Sequence, residues 1–235
     1  MKEVVDKLVE WLRNSVKEAD CKGIVYGLSG GVDSAVIAAL SKLAFNDESL
    51  AIMMPINSSK EDEKDAKLVI DKFKLNAIKV DLSKTYSVFA DSVEKGDNLM
   101  AYANVKPRLR MTTLYYYAQL KRYLVVGTSN KSEFTVGYFT KYGDSGSDLM
   151  PLIDFTKKEI FELARFLKVP EKIIQKLPSA GLFENQTDED EMGFSYDDLE
   201  KFINNEKLDK KIDEKIKRMV KISEHKRNFA KGFRR

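Results

Sequence analysis

The sequence predicts an α/β protein: a doubly wound parallel sheet followed by a helical C-terminal appendage. Three observations carry that expectation. Short β-branched runs alternate with helical patterns through the first two-thirds of the chain. The first such run ends in a glycine-rich turn that opens directly into a helix, and the last third holds no strand pattern. Strands alternating with helices of this length require βαβ crossovers, and hence a parallel sheet covered on both faces.

Taken in order, Val4, Val5, Leu8, Trp11, Leu12 and Val16 recur at helical spacing and predict an amphipathic opening helix. Gly23 to Leu28 reads as a strand buried on both faces, and Val32 to Leu43 as an Ala- and Leu-rich helix. Leu50 to Met54 is the second strand, stopped by Pro55. Ser59 to Phe73 is a helix with Ser59 as its cap and Asp62 at the capping-box position. Ala77 to Val80 is a third strand, Met111 to Leu120 a helix, and Tyr123 to Gly127 the fourth strand. Thr156 to Leu167 is helical and ends before Pro170. Phe183 to Met192 is acidic, and a helix from Leu208 to Ile222 leads into a basic end. No repeat or low-complexity segment interrupts the 235 residues, which suffice for one sizeable core.

Composition narrows the chemistry. Apolar residues make up 43% and charged residues 33%, a globular balance. No apolar run approaches the roughly 20 residues that span a bilayer, and the acids at Glu3 and Asp6 argue against a secretory signal. A net charge of +3 gives no reason to expect nucleic acid. Cys21 is the single cysteine, so no internal disulfide forms and the reducing cytoplasm is the expected home. His225 is the single histidine, in a Lys/Arg-rich stretch. That excludes His-pair zinc motifs and disfavours a Ser-His-Asp machine; a metal here is expected to be hard and oxygen-liganded.

The chemistry-bearing segment is Gly27-Leu28-Ser29-Gly30-Gly31-Val32-Asp33-Ser34, between a buried strand and a helix. The carboxyl end of a strand and the following helix N-terminus form the ligand position of parallel sheets. Gly30 and Gly31 let bare N–H groups approach phosphate oxygens, and Ser29 and Ser34 add hydroxyls. Asp33 is out of place in an anion site unless a cation sits between, which points to a Mg2+ ligand. No Gly-Lys-Ser/Thr occurs, so this is not a P-loop, and Gly-x-Gly-x-x-Gly is absent too. The loop resembles the Ser-Gly-Gly-x-Asp-Ser motif of the pyrophosphate-motif ATPases, the adenine nucleotide α-hydrolase-like, Rossmann-like superfamily. That resemblance implies ATP cleaved between the α- and β-phosphates.

Further segments narrow it. Asn104 to Met111, Gly127 to Glu133, Gly137 to Asp144 with Asp148 to Leu152, Pro178 to Leu182 with Asp188-Glu189, and His225-Lys226-Arg227 occur in register. Together they resemble the ammonia-dependent NAD+ synthetases over essentially the whole chain, implying a single synthetase domain from 1 to 235. The resemblance implies that Thr128, Lys157 and Ser179 contact ATP with Gly27–Ser34, and that Glu133 holds Mg2+ with Asp33. Arg108, Lys141, Asp148, His225 and Lys226 would bind deamido-NAD+. Ala103, Pro107 and Gly181 depart from the family pattern. The implied reaction is adenylation of the nicotinate carboxylate, then displacement of AMP by ammonia. Asp33 acts through the metal, while Asp148 and Glu133 are both candidates for the ammonium proton. Family precedent implies a homodimer. Rival readings are another amidating or thiolating member of the superfamily, or a non-catalytic nucleotide-binding module.

Overall fold

The structure is a computed structural model and describes residues 1–178 and 187–233. Four strands, β1 (Gly23–Gly27), β2 (Ser49–Met53), β3 (Ala77–Lys79) and β4 (Tyr123–Val126), lie in the order β3-β2-β1-β4. Every pairing is parallel, with Val25 opposite Leu50 on one side and Val125 on the other. Side chains alternate across β1. Ile24 and Tyr26 enter one core, and Val25 enters the other.

The first core is built with α1 (Lys2–Glu18), α2 (Val32–Phe45), α3 (Lys60–Phe73) and α8 (Lys157–Phe166). The apolar stripe of α1 is spent inside the protein, with Val5, Leu12 and Val16 buried. Helix α2 is buried nearly all round, as a central crossover helix must be. Ser59 caps α3 by accepting from Asp62 N, and its hydroxyl bonds Asp62 Oδ2 at 2.7 Å. Thr156 and Glu159 close a reciprocal capping box on α8.

The opposite face is covered mainly by α6 (Val105–Lys121), with α4 (Ser83–Ser92) beside it and α5 (Leu99–Ala103) leading in. Helix α6 begins six residues before the expected Met111. Pro107 falls in its first turn, where a missing N–H removes no helical bond. The sequence reading placed nothing at α4, α5 or α7 (Lys131–Val136). Helix α9 (Glu171–Ile174) follows α8.

Beyond these lie α10 (Asp188–Met192), α11 (Tyr196–Ile203), α12 (Lys210–Ile222) and α13 (Glu224–Arg227). They pack on α7 through a separate cluster of Val136, Met192, Phe194, Leu199 and Ile216. The connection after α7 is clasped by the other end of this layer. Lys226 donates to the carbonyls of Gly137 and Phe139 at 2.8 Å each. Arg227 donates to Thr135 O, and Lys141 donates back to His225 O.

Candidate active site

The chain runs outward from β1 to β3 and then returns to place β4 on the other side of β1. The crevice between the carboxyl ends of β1 and β4 is therefore the switch point, where parallel sheets bind ligands. A cleft of about 1340 Å3 opens there, lined among others by Gly27, Leu28, Ser29, Gly31, Val32, Asp33, Ser34, Thr128, Glu133 and Lys157. Gly30 lies in the same turn with φ +85°. A Cβ there would lie 2.9 Å from both Asp62 O and Asp65 Cβ, so only glycine lets α3 pack against the loop. Ser34 Oγ donates to Gly31 O at 2.9 Å and lies 3.2 Å from Ser29 Oγ, holding the turn closed.

Three charged side chains from three segments converge beside the loop. Lys157 Nζ lies 2.7 Å from Asp33 Oδ2 and 2.9 Å from Glu133 Oε1, with only 4% of its side chain exposed. Asn130 fixes both acids with one amide. Its Nδ2 donates to Asp33 Oδ1 at 2.9 Å, and its Oδ1 caps α7 by accepting from Glu133 N at 3.0 Å. Burial pushes the Glu133 carboxyl up and outweighs the attraction of Lys157, with the Asp33 charge adding to the rise. Lys157 moves up as well: burial opposes its charge, but the two carboxylates more than compensate.

A second acidic layer lies behind. The Tyr196 hydroxyl is 2.8 Å from Asp188 Oδ2 and 3.3 Å from Glu133 Oε1, and the Tyr138 hydroxyl is 2.6 Å from Glu191 Oε2. Burial and the surrounding carboxylates push both phenols up, so they stay donors.

Among the described residues no three His, Cys, Asp or Glu converge as a self-sufficient metal cage. The two carboxylates of Asp33 and Glu133 instead suit a hard divalent cation that takes its other oxygens from phosphate and water.

The remaining expected residues divide. His225 and Lys226 line the cleft, although the Lys226 ammonium is engaged by backbone carbonyls. Arg108 is exposed, off the cleft wall, and donates to Lys141 O at 3.3 Å. Asp148 is off the wall too. Its Oδ2 accepts from Val125 N at 2.8 Å and its Oδ1 from Tyr115 at 3.0 Å, tying the loop to β4. Lys141 reaches His225 O rather than the cleft. Ser179 lies outside the described residues.

The model of the family described as NAD synthase matches residues 4–230. The chain belongs to this NAD synthase family. It is 51% identical over 231 residues to the NH(3)-dependent NAD(+) synthetase of Finegoldia magna, covering 98% of this chain and 95% of that one. The synthetase of the same name from Carboxydothermus hydrogenoformans is 48% identical, covering 97% and 95%. Among solved structures it resembles the NMN synthetase of Francisella tularensis, with TM-score 0.95, 38% identity and coverage of 98% and 97%. It also resembles the NH3-dependent NAD synthetase of Campylobacter jejuni, with TM-score 0.85, 30% identity and coverage of 99% of both chains.

Membership in this family leaves the geometry to say which side chains matter, and several were not singled out from the sequence. Asn130 stood inside a quoted motif, but its double bond to Asp33 and Glu133 depends on tertiary placement. Tyr138 and Asp188 also stood inside quoted segments without being given a role, and Tyr196 gave no local signal. Lys106 and Arg110 do line the cleft, whereas Arg108 between them does not.

Proposed function

We propose that this enzyme amidates deamido-NAD+ to NAD+ at the expense of ATP, with ammonia as the nitrogen source. The observation that carries this reading is the Asp33–Lys157–Glu133 convergence beside the Ser29-Gly30-Gly31 turn, at the switch point of a parallel sheet. Family membership supports it. The carboxylate oxygen attacks the α-phosphorus and pyrophosphate leaves, giving an acyl-adenylate. The nitrogen of ammonia then attacks the acyl carbon, AMP leaves, and one proton is released.

The loop N–H groups and the Ser29 and Ser34 hydroxyls would orient the triphosphate. Asp33 and Glu133 would hold Mg2+, which supplies charge neutralisation to the phosphates. Lys157 is placed to follow those phosphates once a cation meets the two acids. Of the two acids considered for the ammonium proton, the geometry favours Glu133: Asp148 engages one oxygen with β4 and the other with Tyr115 of α6. Pyrophosphate release is expected to require Mg2+, ATP and deamido-NAD+ together. ADP and phosphate as products would overturn the reading.

The likeness to the Francisella tularensis NMN synthetase favours a second reading, in which the acid is nicotinic acid mononucleotide. Competition between the two acids at equal concentration separates them.

The expected homodimer has a physical surface to use. Val88, Phe89, Leu99, Tyr116 and Leu120, on α4, α5 and α6, are exposed. The apolar stripe of the opening helix is not part of this surface, being buried against α2. A cytoplasmic location fits a substrate set of ATP and ammonia, and no helix among the described residues is long and apolar enough to cross a membrane.

A further inference from the structure

Two cations on the cleft wall have charged nitrogens without a partner among the described residues. Lys106 and Arg110 lie four residues apart on α6, and both line the cleft. Arg110 Nε donates to Met54 O at 3.0 Å, which fixes the guanidinium at the end of β2. Its two terminal nitrogens, and the Lys106 ammonium, have no hydrogen bond or ion pair among the described residues. Lys106 Nζ sits 5.8 Å from the centre of the Tyr86 ring.

The nearest acids are committed elsewhere. Asp62 takes Lys176 at 2.8 Å and Ser59 at 2.7 Å, and Asp144 accepts from Thr140 N at 2.8 Å. Burial and the Arg110 charge together push the Lys106 ammonium down. Like charges four apart destabilise a helix, and a low-polarity wall makes the cost larger. Such a pair is expected where a bound anion restores the balance.

We infer that Lys106 and Arg110 form a phosphate-binding pair on the cleft wall, serving a phosphate group of one of the two nucleotide substrates. Arginine supplies a planar fork matched to phosphate, and lysine adds a mobile point charge. The Gly27–Ser34 loop contributes neutral donors, so the pair brings positive charge that the loop lacks. The inference rests on the proposed reaction only for which nucleotides are offered. The chemistry recognised, a phosphate group, is common to ATP and to the acid substrate.

The test compares the wild-type chain with Lys106→Gln and Arg110→Lys. Calorimetry measures dissociation constants for Mg·ATP and for deamido-NAD+ separately, and steady-state assays measure both KM values. Lys106→Gln is the cleaner variant because the side chain makes no hydrogen bond among the described residues. We expect its affinity for one nucleotide to fall about tenfold. Its melting temperature should equal or exceed that of wild type, since a repulsion is relieved. Arg110→Lys keeps the charge and loses the fork, so weaker binding of the same nucleotide is expected.

A loss confined to ATP assigns the triphosphate, and a loss confined to deamido-NAD+ assigns its pyrophosphate bridge. Both affinities within twofold of wild type in Lys106→Gln would overturn the inference. So would a lower melting temperature in that variant, which marks a structural role. If the wild type releases no pyrophosphate, the proposed reaction fails, while the calorimetry still decides the pair.

Discussion

Replacing Lys157 by methionine isolates the energetics at the centre of the site. At 2.7 and 2.9 Å the ammonium attracts each carboxylate by about 6 kcal/mol at an effective dielectric of about 20, before desolvation is subtracted. Desolvation removes several kcal/mol per ion, so the intact triad contributes far less than that sum. Removing the cation is different, because Asp33 and Glu133 then face each other uncompensated. Breaking a buried pair this way costs about 3–5 kcal/mol. Both carboxylates keep 18% side-chain exposure, which places the cost at the lower end, about 3 kcal/mol. For a chain of this size that lowers the melting temperature by about 6–12 °C. The assay is thermal unfolding at pH 7.5 without metal and again in millimolar Mg2+. The variant should recover more on adding Mg2+ than the wild type does, since its two acids await a cation. Adding Asp33→Asn to Lys157→Met should restore part of the loss. A metal-free variant melting within about 2 °C of wild type would refute the reasoning.

Four further outcomes are expected. Asp33→Ala should abolish turnover while leaving the circular dichroism spectrum intact, because the cation loses a charged ligand. Gly30→Ala forces a side chain into φ +85° and against Asp62 and Asp65, costing about 2–4 kcal/mol in urea unfolding. Asp65, with a side chain 2% exposed, is pushed up by burial, but bonds from Lys172 and Lys176 outweigh this and hold it below the usual carboxylate range. Its stabilisation is therefore present above about pH 4 and lost as pH falls through its lower folded value. Asp65→Asn should flatten that acid limb and cost about 1.5–3 kcal/mol at pH 7 in denaturant titrations at each pH. Finally, Cys21 packs at the edge of the first core, and the single histidine, His225, lies far from it in sequence. Cys21→Ser should keep full ammonium-dependent activity, and activity from ammonium-free glutamine that vanishes in this variant would contradict ammonia as the nitrogen source.

The sheet was legible because its signals are local. β-Branched runs placed all four strands to within about two residues, and helical spacing, composition and capping signals gave α1, α2, α3 and α8. Helix α6 was harder. The expected start at Met111 left out its first six residues, and the register of its basic face was lost with them. Residues two apart on a helix point about 200° apart, so Arg108 and Arg110 cannot share a wall. The structure gives the cleft to Arg110. In the site, Gly30 and Asp33 were readable from steric and charge requirements of one turn. Asn130 was not, because its value lies in bonding residues from two strand ends. Lys226 was assigned to the substrate by the family resemblance, and only the fold reveals that its ammonium is also held by carbonyls.

The clasp around the loop after α7 has an evolutionary consequence. Its donors are the side chains of Lys226, Arg227 and Lys141, and nearly all its acceptors are main-chain oxygens. Every residue type presents the same carbonyl, so drift at Phe139 leaves the grip on that loop unchanged. Drift at Lys226 or Arg227 does not. At Phe139 the information is thus held by the donor alone. Mutational scanning should find positions 226 and 227 far less permissive than position 139, while Gly137, at φ +68° with Ser223 against it, stays fixed for its own steric reason.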